Sequence, residues 1–380
     1  MALTKVRLGD YIERSTVNNR DLKYGTDLII GVNNQGVFTN PKGNTDGVDL
    51  QPYKIVNNGA FVYNPTRLDL GSIAYRTEGL CIVSHLYMIF YLTEEGKKII
   101  DPLWLYIYFR RREFCREVTF RNFGSQRPEF NFNDMSDIII PLPDIEIQHK
   151  YVDVYNAMLA NQKSYERGLD DLKLSYEGLI NEYKHKAKKI NVGNILEEVD
   201  CRNTENIIND VQGINIQKQF MPTVADMNDV NLSKYKVVKK GQFAFSGMQT
   251  GRDECIRIAL YDKEEPIIIS PAYTVLQTKD NSILSEYVMM WFSRKEVDRL
   301  GWFMSDASIR TNLDMDRFYE IEIPVPDLKV QKSIVEIYNA YNKRKKINER
   351  LKTQIKDICP ILIKGSIEEA MEAENVHTAV

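Results

Sequence analysis

Apolar and aromatic residues recur at alternating intervals of three and four positions in two long stretches of the chain. Such spacing places side chains along one face of a helix, and four heptads of it in the first stretch form the pattern of a coiled-coil seam. We therefore predict two long helices, over residues 143–190 and 326–365, of which the second is shorter and more interrupted. The predicted seam residues are Tyr155, Met158, Gln162, Tyr165, Leu169, Leu172, Tyr176 and Leu179 in the first helix, and Ile334, Ile337, Tyr341, Leu351, Ile355 and Ile358 in the second.

Three polar residues, Gln162, Arg344 and Asn348, interrupt the two seams. Polar residues at seam positions often fix the register and the choice of partner. The alternative is that each helix packs only on its own domain. A helix of about 45 residues is about 65 Å long, at 1.5 Å per residue. Because one face of a domain is shorter than that, the length of the first seam favours a coiled coil.

Each predicted helix opens with nearly the same sequence. Ile-Pro-Leu-Pro-Asp at 140–144 and Ile-Pro-Val-Pro-Asp at 323–327 are related by a shift of 183 residues, and nine of the eighteen positions from each Ile onward are identical. The prolines force an extended backbone, and the Asp stands where a helix N-cap is expected. A repeat of this length indicates two copies of one structural plan.

Strand-like patterns precede each opening, and the two copies share a framework. Tyr53–Phe61 predicts two strands around a turn, and Tyr235–Phe243 matches it closely. Asp101–Cys115 predicts one aromatic-rich helix. The segments Asn64–Glu78 and Ser246–Glu254 differ in length and in polar residues, so the copies carry different loops, where binding specificity usually lies.

These patterns predict the fold class and the division of the chain. We expect an α+β protein in which two similar mixed α/β domains, over residues 1–142 and 191–325, are each followed by a long helix. Residues 366–380 are predicted to form a short acidic tail.

The composition limits the classes of protein to which the chain can belong. The net charge of −3 over 380 residues is not that of a free-standing nucleic-acid binder, so any DNA affinity must come from local basic patches or be shared with partner subunits. The five cysteines are scattered, which argues against a zinc site or a disulfide framework. Residues 1–5 lack the form of a signal peptide, and no apolar run is long enough to span a membrane. We expect a cytoplasmic protein.

The paired openings at 140–148 and 323–331, the helices after them and the matching strands resemble the specificity (S) subunit of Type I restriction–modification systems over essentially the whole chain. This resemblance implies two target-recognition domains, each reading one half of a split sequence in double-stranded DNA, and helices that pair as an antiparallel coiled coil. It also implies that these helices hold the two domains at a fixed separation and dock methyltransferase (M) subunits, and that the complex recruits endonuclease-translocase (R) subunits. S-adenosylmethionine, ATP and Mg are then expected on those partner subunits, with no cofactor on this chain.

The sequence offers no catalytic set of its own. Tyr63-Asn64-Pro65-Thr66 resembles the Asn/Asp-Pro-Pro-aromatic loop of amino-methyltransferases, but Thr66 replaces the second proline and Arg67 the stacking aromatic residue. The chain lacks a phosphate-binding Gly-rich loop and a plausible nuclease carboxylate cluster, and its four histidines have no metal-ligand spacing. We therefore expect neither an active site nor a metal site.

Base reading requires Arg, Asn or Gln side chains that reach base edges, together with cations that contact phosphates. Ordinary solvated loop residues are the alternative at every position. Ser125/Arg127 and Ser308/Arg310 recur in register, which favours a phosphate contact, because base readers should differ between the two halves. The candidates are Asn33, Asn34, Gln35, Asn64, Arg67, Arg76, Ser125, Gln126 and Arg127 in the first domain, and Gln217, Gln219, Ser246, Gln249, Thr250, Arg252, Ser308 and Arg310 in the second.

Three functions stay open at this point. The first is a non-catalytic DNA-recognition subunit, and the second is an enzyme with its own methyl-transfer or cleavage chemistry. The third is a coiled-coil scaffold that does not read DNA. The missing motifs disfavour the second, and the divergent polar loops on a duplicated framework favour the first over the third.

Overall fold

The computed structural model describes residues 3–41, 43–122, 129–227, 230–306 and 311–378, with side chains up to residue 374. The chain divides into two compact units. Unit 1 combines Met1–Ser164 with Ile347–Val380, and unit 2 is Tyr165–Lys346. No helix in the described part of the chain is both long and apolar enough to cross a membrane.

The first domain and the helix that follows it contain ten strands and five α-helices among the described residues. The main sheet is four-stranded and antiparallel, with the order β2-β9-β6-β7, and three separate two-stranded sheets pair β1 with β10, β3 with β4 and β5 with β8. The elements are β1 Thr4–Arg7, β2 Ile12–Ser15, β3 Gly31–Val32, β4 Phe38–Thr39, β5 Lys54–Val56, β6 Phe61–Tyr63, β7 Ile73–Tyr75, β8 Cys81–Val83, β9 Met88–Leu92, α1 Glu94–Ile99, α2 Pro102–Phe109, α3 Arg112–Arg121, α4 Phe132–Ser136, β10 Ile139–Leu142 and α5 Ile145–Lys186.

The second domain repeats the order of the strands, but not of every helix. Its main sheet is β12-β19-β16-β17, a second sheet is β14-β13-β18-β15, and β11 pairs with β20. The elements are β11 Lys188–Asn191, α6 Val192–Ile195, β12 Leu196–Glu198, β13 Val211–Ile214, β14 Phe220–Pro222, β15 Lys236–Val238, β16 Phe243–Ser246, α7 Thr250–Asp253, β17 Arg257–Leu260, β18 Ile267–Ile269, β19 Thr274–Thr278, α8 Ser285–Phe292, α9 Lys295–Met304, α10 Met315–Glu320, β20 Glu322–Val325 and α11 Leu328–Thr378.

The two domains share one framework, as the repeat predicted. The strand order β2-β9-β6-β7 corresponds element by element to β12-β19-β16-β17. In both domains the first strand pairs antiparallel with the last strand. Thr4 of β1 lies opposite Leu142 of β10, and Lys188 of β11 lies opposite Val325 of β20. The loops differ, since α7 follows β16 whereas a series of tight turns follows β6.

Each domain has its own aromatic core between the sheet and the helices. In the first, the rings of Phe61 and Phe90 stack with centroids 4.9 Å apart, and Phe109 meets Phe90 edge-on. In the second, Phe318 stacks between Phe245 and Phe292, at 4.1 and 5.4 Å. Packing of this kind contributes about 0.5–1.5 kcal/mol per aromatic pair beyond area burial.

Both units contain a pair of antiparallel helical segments from α5 and α11. In unit 1, Lys150 contacts Glu369 near one end and Gln162 contacts Asn348 near the other. In unit 2, Tyr176 packs against Tyr338 and Tyr341. The prediction of two long paired helices is confirmed, and every predicted seam residue is buried or half-buried.

The predicted bounds of the second long helix, 326–365, were wrong, and so was the prediction that it is the shorter of the two. α11 has 51 residues and α5 has 42, so the second helix is the longer one. It passes through Pro360 and continues to Thr378, where a separate tail was predicted. The reason is tertiary packing: Leu362, Ile363, Ser366 and Ala370 are all buried in unit 1. That burial offsets the cost of about 3 kcal/mol for a proline inside a helix.

The predicted helix Asp101–Cys115 is two helices, α2 and α3, because Arg110 and Arg111 interrupt it. The Arg111 backbone is extended, with φ −75° and ψ 147°. Its guanidinium lies 3.8 Å from the Tyr108 ring centroid, and its Nε donates to the Tyr108 carbonyl. Arg110 Nη1 donates to the Gly71 carbonyl at 2.5 Å. These contacts end α2 and redirect the chain, which an apolar periodicity does not reveal.

Candidate nucleic-acid interface

The β3–β4 hairpin carries three predicted DNA-contacting residues of the first domain. The Asn33 Oδ1 accepts hydrogen bonds from the backbone N–H of Gln35 at 2.9 Å and of Val37 at 3.3 Å. Asn33 therefore shapes the turn, as Asn commonly does. Asn34 and Gln35 are exposed at the tip, so their side chains are the ones available to a ligand.

The β13–β14 hairpin is the counterpart in the second domain. Asn215 Oδ1 accepts from the backbone N–H of Gln219 at 3.0 Å, which repeats the role of Asn33. The side chains of Gln217 and Gln219 are exposed. The candidates predicted from the sequence thus fall on the corresponding hairpin in both domains, and Asn33 in the first domain serves the turn itself.

A cation lies beside the turn of each hairpin. In the second domain Lys218, at the hairpin, is nearly buried and its Nζ lies 2.6 Å from Asp298 Oδ1. In the first domain Arg110, which follows α2, donates to the Gly71 carbonyl outside the hairpin, and the Tyr106 hydroxyl of α2 donates to the Gly36 carbonyl of the hairpin at 3.1 Å. A Cβ at Gly36, where φ is +73°, would lie only 2.5 Å from Arg110 Nη1, so that position requires glycine. Contacts with α2 and α9 thus hold the two turns, while Asn34, Gln35, Gln217 and Gln219 are exposed.

The turns after β6 and β7 hold three further candidates of the first domain, Asn64, Arg67 and Arg76. Asn64 Oδ1 accepts from the Thr66 backbone N–H at 3.1 Å and from its hydroxyl at 2.9 Å, which makes a local turn. Arg67, within this turn, is exposed. The Arg76 guanidinium lies 5.2 Å from the Phe38 ring centroid and is half-buried. Of these, Arg67 is the best placed to reach a phosphate.

The candidates around α7 divide into two groups. Ser246 is 7% exposed, and Thr250 is fully buried with its hydroxyl donating to the Gly247 carbonyl at 3.0 Å. A structural role fits these two side chains better than contact with DNA. Gln249 adopts a left-handed backbone at the start of α7 and is half-buried, and Arg252 is exposed. Gln249 and Arg252 remain available at the surface.

Ser125, Gln126, Arg127, Ser308 and Arg310 lie outside the described residues. Their contacts with DNA stay predictions.

A buried glutamine near the start of each long helix is the polar contact that sequence reasoning missed. Gln148 Nε2 donates to the carbonyls of Ile99 at 2.8 Å and Pro143 at 2.7 Å, and its Oε1 accepts from the Asp101 N–H at 2.9 Å. Its side chain therefore ties the helix opening to the N-terminus of α2. The signal was present in the sequence, since this Gln is identical in the two openings.

Gln331 makes the same three bonds after a shift of 183 residues. Its Nε2 donates to the carbonyls of Ser282 at 3.0 Å and Pro326 at 2.8 Å, and its Oε1 accepts from Leu284 N–H at 2.9 Å. Both glutamines are 0% exposed. In both copies, the domain that carries the polar loops is thus hydrogen-bonded to the start of the long helix that follows it.

Polar residues inside the helix pairs are matched within each unit. In unit 1, Gln162 Nε2 donates to Asn348 Oδ1 at 2.9 Å in a buried site. In unit 2, the Arg344 guanidinium lies 5.2 Å from the Tyr165 ring centroid and packs over Gly168, where a Cβ would be 2.0 Å from Arg344 Nη1. These contacts favour one register over its neighbours, as the interrupted seams predicted.

The described residues contain no group of three or more His, Cys, Asp or Glu side chains that could hold a metal ion. Tyr63, in the segment that resembles a methyltransferase loop, is fully buried, and burial raises the pKa of its hydroxyl. Burial also raises the pKa of the Cys359 thiol to about 11. The candidate side chains that the two domains expose are Asn34, Gln35 and Arg67 in the first, and Gln217, Gln219 and Arg252 in the second.

Fold and surface together define a class of proteins in which one chain carries two similar domains with different polar loops, each locked to long paired helices. The family model described as the Type I restriction modification DNA specificity domain matches residues 4–171 and 203–357. The chain belongs to this family: it is a Type I restriction–modification specificity subunit with two target-recognition domains.

Individual relatives agree with this assignment. The chain is 22% identical over 313 residues to the Type I restriction enzyme MjaVIII specificity subunit of Methanocaldococcus jannaschii, a match covering 72% of each. It also resembles the crystal structure of the Type I restriction-modification S subunit from M. genitalium, with a TM-score of 0.57 and 15% identity over 96% of this chain and 95% of that one. The latter likeness supports the fold.

Proposed function

We propose that each target-recognition domain reads one half of a bipartite DNA sequence, and that the paired helices set the distance between the two halves. The observation that carries this proposal is the framework repeated strand by strand beneath different polar loops. Exposed Asn34, Gln35 and Arg67 in one domain, and Gln217, Gln219 and Arg252 in the other, supply the amide and guanidinium groups suited to base edges and phosphates.

The chain acts without chemistry of its own in this proposal. Methyltransferase subunits dock on it and carry S-adenosylmethionine, while endonuclease-translocase subunits join the complex with ATP and Mg. The net charge of −3 fits this division of labour, because the DNA phosphates are then neutralised partly by partner subunits. The complex works in the cytoplasm, where its DNA substrate is found.

Methylation mapping of genomic DNA tests the proposal. Cells that express this chain with its cognate methyltransferase subunit should methylate a split, asymmetric motif with a fixed gap. A continuous motif would contradict two reading domains. Absence of any motif, while the same methyltransferase methylates DNA with another specificity subunit, would leave the chain as a scaffold that does not read DNA.

Domain exchange tests the modular part. Replacing residues 191–325 with the corresponding domain of another specificity subunit should change one half of the motif and leave the other half and the gap unchanged. A change in both halves would show that the two domains do not read independently.

A further inference from the structure

The β3–β4 and β13–β14 hairpins contain the same five-residue turn. It spans residues 33–37 in the first domain and 215–219 in the second, and we number its positions 1 to 5. In both copies the N–H of position 1 donates to the carbonyl of position 5 at 3.1 Å, and the N–H of position 4 donates to the carbonyl of position 1 at 3.0 Å. The side chains of the two turns can therefore be compared position by position.

Positions 1 and 4 fix the shape of the turn. Position 1 is asparagine in both copies, and its Oδ1 accepts from the N–H of position 5. Position 4 has a left-handed backbone, with φ +73° at Gly36 and +61° at Lys218. Glycine adopts this conformation freely, whereas Lys218 is held in it by Asp298. The Cys255 thiol also donates to the Ile216 carbonyl at 3.2 Å, so the backbone of the second turn is anchored on both sides of its tip.

The other three positions are exposed in both copies, and two of them exchange their chemistry. Position 3 is glutamine in both turns. Positions 2 and 5 are Asn34 and Val37 in the first domain, but Ile216 and Gln219 in the second. Each turn therefore exposes two amides and one β-branched aliphatic side chain, which stands at position 5 in one turn and at position 2 in the other.

The apolar core beside each hairpin is built from other residues. It buries Val32 in the first domain and Ile214 in the second. In contrast, Val37 is 46% exposed and Ile216 is 59% exposed. A single exposed aliphatic side chain is ordinary on a protein surface. Here, however, one occurs in each copy of the same anchored turn, next to amides of the kind that read base edges.

An aliphatic side chain has no group that could bind a phosphate, so its partner in duplex DNA must be apolar. In the major groove, which admits a two-stranded β-ribbon, that partner is the 5-methyl group of thymine. The hairpins have a suitable form, because β3 and β4 pair only with each other among the described strands and β14 is the edge strand of its sheet.

We propose that Val37 and Ile216 are specificity-determining residues, each of which contacts the 5-methyl group of a thymine in the half-site that its domain reads. The inference rests on the proposed function. Since the aliphatic residue stands at position 5 in one turn and at position 2 in the other, the thymine lies on opposite sides of the bases that the amides read. One turn geometry can thus read two different sequences.

Uracil provides the test, because it pairs as thymine does but lacks the 5-methyl group. Methylation mapping and domain exchange first define the two half-sites and the domain that reads each. Duplexes with the mapped motif then carry uracil in place of one thymine at a time. Fluorescence anisotropy at one salt concentration measures their affinity for the chain in complex with its cognate methyltransferase subunit. One replacement in each half-site should weaken binding about fourfold, as expected for the loss of one buried methyl group.

Two alanine variants assign each methyl group to its residue. The Ile216→Ala complex should bind the thymine and uracil duplexes of the second half-site equally, while uracil in the first half-site still weakens binding about fourfold. Val37→Ala should give the converse result. The discrimination that each variant retains shows that it is folded. Ile361→Ala, at an exposed isoleucine of α11, is the matched control and should discriminate in both half-sites.

The possible failures are distinguishable. If the unaltered complex yields no split motif, the proposed function fails. If the motif is split but uracil is tolerated at every thymine, or a half-site has no thymine on either strand, the methyl contacts alone are refuted. Uracil sensitivity that persists in the alanine variants would assign the methyl groups to other residues. If Ile216→Ala weakens binding of thymine and uracil duplexes by the same factor and uracil still matters, its side chain does not read the methyl group.

Discussion

Replacing Gln331 by leucine should loosen unit 2 where α11 begins. The leucine side chain fills similar space but removes three hydrogen bonds, which leaves the carbonyls of Ser282 and Pro326 and the N–H of Leu284 without a partner. A buried hydrogen bond contributes about 1 kcal/mol net, and an orphaned buried polar group costs about 1–3 kcal/mol. We therefore expect a loss of about 3 kcal/mol in the free energy of opening this region.

Hydrogen exchange read by mass spectrometry measures this loss locally, which matters because a chain of two units need not unfold in one step. A decrease of about 3 kcal/mol corresponds to amide exchange faster by about 100- to 200-fold when opening is an equilibrium. The increase should appear in peptides covering 282–292 and the start of α11. Peptides covering 99–109 in unit 1 should keep their protection.

Gln148, the equivalent glutamine at the start of α5, provides a matched control. Gln148→Leu removes the corresponding three bonds and should loosen 99–109 while leaving 282–292 unchanged. Gln331→Glu keeps the shape and the acceptor but places a carboxylate against two carbonyls, so it should be at least as damaging as Gln331→Leu. Gln217→Leu, at an exposed position, should change neither region.

Two results would refute the reasoning. If Gln331→Leu and Gln148→Leu each cost less than about 0.5 kcal/mol, hydrogen bonding by the glutamine does not hold the helix openings. If Gln331→Leu loosens both sets of peptides equally, its effect is not local to unit 2.

Three further predictions test other parts of the chain. Gln162→Leu and Asn348→Leu should each destabilise unit 1 by about 1–3 kcal/mol, whereas the double variant should recover part of that loss in chemical denaturation, because both partners of the buried bond are then apolar. Iodoacetamide at pH 8 should modify the exposed Cys201 but not Cys359, whose thiol is buried with a pKa near 11, and equal labelling in a peptide map would contradict the packing of α11. Arg127→Ala should lower the slope of log affinity against log salt by about one unit if it contacts one phosphate, and an unchanged slope would exclude that contact.

The framework was predictable because its signals are periodic and duplicated. The Ile-Pro-x-Pro-Asp openings located the starts of both long helices, and the seam spacing identified residues such as Tyr155 and Ile355 that are indeed buried. Polar interruptions at Gln162 and Asn348 suggested a register device, and the two side chains do bond to each other.

The predictions that were wrong concern features that depend on contacts between side chains and distant parts of the chain, which a local sequence pattern does not reveal. The extent of α11 beyond Pro360 follows from apolar residues that pack on a domain more than two hundred residues away in sequence, with Trp104 Nε1 donating to the Ser366 hydroxyl. The break between α2 and α3 follows from two hydrogen bonds. Arg110 donates to the Gly71 carbonyl, and Arg111 donates to the Tyr108 carbonyl.

The candidate interface shows the same limit. Polar loop composition identified exposed positions such as Gln35 and Gln217, but it could not separate them from Thr250, whose hydroxyl is consumed inside the fold.

The division of the chain into units has a consequence for its biosynthesis. Unit 2 is one continuous stretch, Tyr165–Lys346, whereas unit 1 joins Met1–Ser164 to residues from Ile347 onward. Because domains fold as they emerge from the ribosome, unit 2 can be complete while the apolar surface around Trp104 and Tyr155 still lacks its cover from α11. A nascent chain that has not yet reached Ile347 therefore leaves that apolar surface uncovered, so unit 1 can complete its core only after α11 has been made.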